Sequence, residues 1–221
     1  HKPDTPLQWV IAMADRISSG FDRHEFEDYT QEIKVRDYKK SRLIPIVEGL
    51  SIDGKWKDHS LSSYQYRYPL KELSPLNIFP VKGKEYQILD GKEAQDEYEK
   101  LFLDFVDALE RLLHKDNPAL WLEHFDTLFM IYASHIPAAS VGLVIPDVSL
   151  YDHSRSTAAF ASALYRYHAD ANTLDSEAVQ EYETKKFLMI SGNFYGIQDF
   201  IFSHGGSTGK ASAKLLRGRS F

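Results

Sequence analysis

Carboxylate and imidazole side chains in two segments could take part in chemistry. Asp15 follows Ala14 and comes four residues after Ile11, at the edge of the apolar stripe of a predicted helix. A carboxylate at such a position is costly unless it is paired or bound to a metal ion. It is therefore either a metal ligand or half of a buried ion pair with Arg16, Arg23 or a distant arginine. Spacing alone favours the ion pair.

Histidines offer further candidate ligands. His1 could join Asp15 in one metal site, or be an ordinary terminal histidine. Asp152 and His153 lie just before an alanine-rich helix and could form a metal-site pair. Alternatively, Asp152 caps that helix and His153 lies in its first turn, which is the favoured interpretation. The other histidines lack metal-ligand spacing, so we expect surface or core roles for His24, His59, His114, His124, His135 and His168.

Two glycine-containing segments near the end of the chain could contact phosphate. Ser191, Gly192 and Asn193 follow an apolar run, and backbone amides at the end of a strand commonly bind nucleotide phosphate. The segment His204–Lys210 (HGGSTGK) departs from the Walker pattern, because histidine takes the place of its first glycine and alanine follows Lys210. It is either a flexible basic loop that contacts nucleic acid or a phosphate, or a solvated connector.

Composition limits the classes of protein. The 221 residues carry a formal charge of −6, contain no cysteine and are 43% hydrophobic. This composition is typical of a globular protein and excludes disulfide scaffolds, cysteine-ligated metal sites and cysteine nucleophiles. Its acidic balance gives no support to non-specific nucleic-acid binding by the whole chain. No apolar run approaches the ~18 residues of a membrane span, so we expect a cytoplasmic protein without a membrane partner.

The elements that must position these residues are mostly helices. Apolar periodicity predicts four of them: Thr5–Ser18, ended by Gly20, then Ala94–His114, Asn117–Ile136 and Ser154–His168. Between the first two, an apolar run within Arg42–Ile52, a turn at Asp53–Gly54 and an alternating segment at Tyr64–Leu73 predict a β-ribbon or arm.

Both ends of the chain fall next to predicted elements. The first helix begins almost at the start, and Leu188–Ser191 reads as a buried strand followed by a glycine-rich loop and a basic helix. One strand and one helix cannot bury their own apolar faces. We therefore expect an internal fragment of a larger protein.

Three segments carry a resemblance that spans nearly the whole chain in order. They are Ala14–Arg23 (ADRISSGFDR), Val148–Ala159 (VSLYDHSRSTAA), and Ile190–Phe202 (ISGNFYGIQDFIF) with Leu216–Phe221 (LRGRSF). Together they resemble the large signature subunit of type III CRISPR effector complexes, most closely its III-A (Csm-type) form. Asn193 stands where many members carry aspartate, which weakens a metal-binding role there.

The resemblance implies a mostly α fold in two parts. Residues 1–183 would form an HD-type helical nuclease domain, lacking its N-terminal part and carrying a β arm at about 40–90. Residues 184–221 would begin the first Palm (cyclase-like) domain, with the first strand and helix of a ferredoxin-like α+β fold.

The resemblance also implies activities for the full-length protein. The HD domain would cut single-stranded DNA with a divalent metal (Mn, Ni, Co or Mg), and Asp15 matches the family's last metal-binding carboxylate. The Palm domains would convert ATP to cyclic oligoadenylates, with other effector subunits, guide RNA and target RNA as partners. The His-Asp pair and the Gly-Gly-Asp-Asp loop of such proteins are absent here, so we expect this fragment alone to be inactive.

Two other interpretations remain open. The chain could belong to a non-catalytic scaffold subunit of the same complex with a degenerate HD site. A general HD-type phosphohydrolase acting on nucleotides is a third interpretation. It is disfavoured by Ser191–Phe202, a stretch that such enzymes do not need.

Overall fold

The computed structural model describes residues 2–22, 35–49, 64–83, 91–140 and 145–192. Within these ranges the protein is mostly helical, as the sequence predicts. Five α-helices are present, together with 3₁₀ turns at Val35–Lys40 and Ile46–Gly49. The α-helices are α1 (Pro6–Asp22), α2 (Gly91–Glu110), α3 (Pro118–Ala133), α4 (Leu150–Asp170) and α5 (Ser176–Gln180). None of these helices is long and apolar enough to cross a membrane.

The chain divides into two compact units, His1–Lys185 and Lys186–Phe221. The first holds all the described helices. Of the second, residues 186–192 are described, and they have no strand pairing. Leu188, Met189 and Ile190 are largely exposed there, so the prediction of a buried strand at Leu188–Ser191 is wrong for this chain. Among the described residues of this unit there is no second strand for the segment to pair with. The HD and Palm identities of the units stay predictions.

Helix α1 begins next to Thr5, as predicted, but it continues beyond the end expected at Gly20. The Thr5 hydroxyl accepts a hydrogen bond from the Gln8 amide, and the Gln8 side chain accepts from the Thr5 amide, which is a capping box followed by Pro6. Gly20 does not end the helix, which continues to Asp22. A single glycine weakens a helix without breaking it.

The main core forms where α1 packs against α4 and α5. Trp9 and Val10 of α1, Leu164 of α4 and Val179 of α5 are buried together. Further along α1, Ala14 and Ser18 have no exposed surface, so small side chains bring the two long helices close together.

Helices α2 and α3 pack through aromatic rings. Phe105 of α2 meets Phe125, Phe129 and Tyr132 of α3 edge to face, with ring centroids 5.7–6.5 Å apart. Phe129 in turn contacts Tyr151 near the start of α4. These contacts connect the α2–α3 pair to α4.

The expected arm is much smaller than a ribbon in the described residues. Two-residue strands, β1 (Tyr66–Arg67) and β2 (Val81–Lys82), pair antiparallel. The predicted strand within Arg42–Ile52 is wrong as far as residue 49, because residues 41–45 are irregular and Ile46–Gly49 is a 3₁₀ turn. The Asp53–Gly54 turn lies outside the described residues.

Polar contacts tie the arm to the helices. The Ile44 amide donates to the Pro146 carbonyl at 2.8 Å, ahead of α4. The buried Arg42 guanidinium pairs with Glu97 of α2 at 2.5 Å and lies over the Tyr98 ring. A buried charge is tolerated because it is paired and hydrogen-bonded.

His135 joins the arm to the end of α3. Its buried ring stacks on Tyr68 at 4.9 Å between centroids. Burial lowers the pKa of His135 from its ordinary value of 6.5, outweighing backbone hydrogen bonds to Pro69 and Lys71 that raise it. Of the surface or core roles expected for this histidine, the structure shows the core role.

This buried histidine should make the fold sensitive to acid. Below about pH 6.5 the unfolded chain takes up a proton at residue 135 that the folded chain resists, so the free energy of unfolding falls as pH decreases. Urea unfolding between about pH 7.5 and about pH 5 should show a smaller loss of stability in His135→Gln than in the unaltered chain. His124→Gln, at an exposed position on α3, is the control and should keep the full loss. An equal loss in His135→Gln would contradict this assignment.

Candidate functional site

Asp15 of α1 and His153 of α4 meet across the helix pair. The Nε2 atom of His153 lies 2.9 Å from Oδ1 of Asp15. A carboxylate can only accept, so the imidazole N–H donates in this contact. The Asp15 side chain is 57% exposed and that of His153 is 14% exposed. The partner of Asp15 is therefore a histidine, and the pair opens to solvent.

This finding corrects one of the two interpretations of Asp15. The expected burial of the ion pair is wrong, because the Asp15 side chain is 57% exposed, and its partner among the described residues is His153. On the neighbouring turn, Arg16 contacts the sulfur of Met13 and lies over the Trp9 ring. Arg23 lies outside the described residues.

Two serine hydroxyls lie behind His153, and one of them, Ser18, contacts its ring. Oγ of Ser18 lies 3.3 Å from Nδ1 of His153 and 3.3 Å from its carbonyl oxygen. Ser156 hydrogen-bonds Ser18, and its hydroxyl donates to the His153 carbonyl at 2.9 Å. A histidine whose other ring nitrogen is held in this way has a set orientation.

The Ser18–His153–Asp15 chain has the composition of a serine-nucleophile triad, but its geometry excludes that chemistry. Ser18 has no exposed surface. A nucleophilic hydroxyl must reach the substrate. Ser18 is therefore a positioning residue, and the atoms that reach solvent belong to Asp15 and His153.

The Asp15–His153 pair lines an open groove of about 670 Å³ between α1 and α4. Ile11 lies one turn before Asp15 on the α1 side. The α4 side continues from His153 through Thr157 and Ala158 towards the middle of that helix. This volume is within the ~300–1,000 Å³ typical of small-ligand sites.

Asp152 has a local structural role. Helix α4 begins at Leu150, before the predicted start, and its N-cap is Ser149. The Ser149 hydroxyl accepts from the Asp152 amide at 3.0 Å and donates to the Asp152 carboxylate at 2.7 Å. Asp152 thus supports the first turn and is not the cap itself, so the capping interpretation named the wrong residue.

The remaining candidates lie elsewhere in the chain. His1, Asn193 and Lys210 are outside the described residues. Ser191 and Gly192 are described, and both are exposed in an extended segment of the second unit. The predicted ligand and nucleotide-binding roles of these five residues stay predictions.

Asp15 and His153 are suitable metal ligands, but they do not complete a site. Among the described residues, no group of three or more histidine, aspartate and glutamate side chains is placed to hold a metal ion. Two neighbouring ligands of an octahedral ion with ~2.1 Å bonds lie about 3.0 Å apart. The 2.9 Å separation is close to this value, but here it is an N–H···O hydrogen bond, so ligation of one ion by both side chains would require Nε2 of His153 to release the proton that it donates to Asp15. Carboxylate with imidazole suits Mn, Ni or Co.

Sequence reasoning treated Asp15 and His153 separately and missed the two serines. A signal for the serines was present, because Ser18 lies three residues after Asp15 and Ser156 three residues after His153. Residues three apart share a helix face. Each of the two segments thus places a serine on the same helix face as its candidate ligand. This shared pattern could have suggested that the two helix faces meet.

Comparison with known proteins identifies the class and then the family. No protein-family model matches the chain. Three curated relatives share one description, CRISPR system single-strand-specific deoxyribonuclease Cas10/Csm1 (subtype III-A). The protein from Streptococcus thermophilus is 39% identical over 97% of this chain, that from Enterococcus italicus 30% over 99%, and that from Methanocaldococcus jannaschii 27% over 96%.

These relatives are components of type III-A CRISPR systems, which confirms the resemblance seen in the sequence. The chain belongs to the Cas10/Csm1 family. It spans only 27–28% of the length of these relatives.

The hydroxyl network predicts a stability effect. Ser18→Ala removes a buried hydroxyl and deprives Ser156 and His153 of a partner, so the free energy of unfolding should fall by about 1–3 kcal/mol. Urea unfolding of the chain measures this. Ser162→Ala is the matched control, because that exposed hydroxyl donates only to the Ala158 carbonyl of its own helix, and it should change stability by less than about 0.5 kcal/mol. An equal effect of both substitutions would contradict the network.

Proposed function

We propose that this chain is part of the large subunit of a type III-A CRISPR effector complex, and that Asp15 and His153 belong to its single-stranded DNA nuclease centre. The observation that carries the proposal is the 2.9 Å contact between these two side chains. It joins two of the three segments of the family resemblance, although 138 residues separate them in sequence. The shared description of the relatives supports the reaction class.

A divalent metal ion is the cofactor that this proposal requires. Asp15 and His153 would supply two of its ligands, and the others would come from residues outside those described, His1 among them. When bound, such an ion activates water for attack on a phosphodiester.

The protein's own groups explain why this position suits hydrolysis. Ser18, itself hydrogen-bonded to Ser156, contacts Nδ1 of the His153 ring, so the Nε2 atom faces Asp15 without reorganisation. Both side chains lie on helices, and helices position functional groups more accurately than loops do. The exposed carboxylate of Asp15 is open to an approaching strand, whereas Ser18 behind it has no exposed surface.

The nuclease proposal is tested on the full-length protein with Mn²⁺ and a labelled single-stranded DNA. Asp15→Asn and His153→Gln keep the size of each side chain and remove its ligand character, so each should lower the cleavage rate by about 100-fold or more. Titration of Mn²⁺ followed by electron paramagnetic resonance should show weaker binding in both variants.

Matched controls use the same substitutions away from the groove. Asp104→Asn on α2 and His124→Gln on α3 should leave both the rate and Mn²⁺ binding unchanged. Retention of full cleavage by Asp15→Asn and His153→Gln would show that the nuclease centre lies elsewhere.

A scaffold subunit with a degenerate site is the second candidate function. A pair without a third ligand among the described residues is an arrangement that this alternative would also produce. Under this alternative the full-length protein joins the effector complex but cuts no single-stranded DNA with Mn, Ni, Co or Mg. Cleavage by the unaltered protein would exclude it.

The proposal for the full-length protein also includes conversion of ATP to cyclic oligoadenylates when guide RNA pairs with target RNA. Its support is the resemblance of Ile190–Phe202 to the start of a Palm domain. In this proposal Ser191, Gly192 and Asn193 contact the nucleotide, with Lys210 as a further phosphate contact. The test is ATP turnover by the assembled complex, and loss of product in Ser191→Ala and Asn193→Ala would support it.

A further inference from the structure

The groove beside Asp15 and His153 lacks the charges that would bind a phosphate backbone. Among the described residues, the titratable side chains lining it are those two, and no lysine or arginine does so. Affinity for nucleic-acid phosphates comes mainly from such cations. The described walls therefore offer the phosphates of a bound strand no ion pair.

The walls combine apolar surface with small hydroxyls. Ile11 and Leu150 form apolar sides, and Ala158 leaves open space between them. Ile11 is 59% exposed and so presents apolar surface to the groove. Ser154 and Ser162 add hydrogen-bonding groups along the same wall. A flat apolar face with polar edges is the chemistry of a nucleobase, which proteins bind between apolar or aromatic side chains.

We propose that this groove receives an unpaired base of single-stranded DNA, next to the Asp15–His153 pair, and that the small side chain of Ala158 provides the clearance. The inference rests on the proposed nuclease function and deepens it by naming what the groove recognises. The groove is continuous with the Asp15–His153 pair, which places its ligand next to the proposed nuclease centre. The described lining contains no cation, which favours a base over a phosphate as that ligand.

This assignment gives a physical reason for single-strand specificity. A base stacked and paired within a duplex cannot enter a groove between two helices unless it is first unpaired, which costs free energy. A single strand avoids that cost. The preference thus arises from the shape of the groove and requires no contact specific to one base.

The test compares an oligothymidylate with the same strand carrying abasic sites, using the full-length protein. Binding is measured by fluorescence anisotropy without metal, and cleavage with Mn²⁺. The unaltered protein should bind the strand with bases about tenfold more tightly, the range expected for burying a base against a protein surface. Ala158→Leu should fill the groove and remove this preference.

Ala163→Leu makes the same change at an exposed position of the same helix that does not line the groove, and it should keep the preference. Leucine suits a helix nearly as well as alanine, so neither substitution disturbs α4 itself. Ile11→Ala, which removes one wall without adding bulk, should weaken the preference and covers the case in which Ala158→Leu fails to fold.

The outcomes separate this inference from the nuclease proposal. Equal binding of both strands by the unaltered protein, or a preference that survives both Ala158→Leu and Ile11→Ala, would overturn base recognition. Loss of the preference in Ala158→Leu, together with full cleavage by Asp15→Asn, would support base recognition and refute the catalytic assignment.

Discussion

The close approach of α1 to α4 is the constraint on which the rest of the site depends. Ala14 and Ser18 have no exposed surface, so the two helices meet at a seam that only small side chains can occupy. This seam places Asp15 and His153 within one hydrogen bond of each other. A larger residue at position 14 would separate them, because close-packed interiors accommodate added volume poorly. The same seam leaves the groove open on its solvent side.

Ser18 shows how one residue can serve both stability and function. Its hydroxyl is buried where an unpaired polar group would be costly, and that cost is avoided by contacts with His153 and Ser156. Those contacts also orient the imidazole. The packing of the helices and the direction of the His153 ring are therefore coupled, and the site cannot be loosened without weakening the fold around it.

The sequence predicted the helices well because their signals are local. Thr5, Pro6 and Asn117 mark helix starts through their own side chains, and the structure confirms each of them. The arm was predicted poorly. The run after Arg42 has strand-like composition, but the segment is held by separate contacts to Pro146, Glu97 and Tyr68, among others, instead of by a sheet. Tertiary contacts of this kind override β-propensity and are not visible in a local pattern.

In the candidate site, too, local features could be predicted from the sequence and tertiary contacts could not. Asp15 and His153 were each identifiable by residue type, yet their pairing depends on the packing of helices that lie far apart in sequence. Spacing suggested an arginine partner because arginines lie next to Asp15 along the chain, whereas the structure brings in a histidine from α4. An imidazole differs from a guanidinium in a decisive respect, since it can lose its proton and offer a lone pair to a metal ion. The identity of the partner therefore gives Asp15 a neighbour that could itself ligate a metal ion, as the proposed nuclease centre requires.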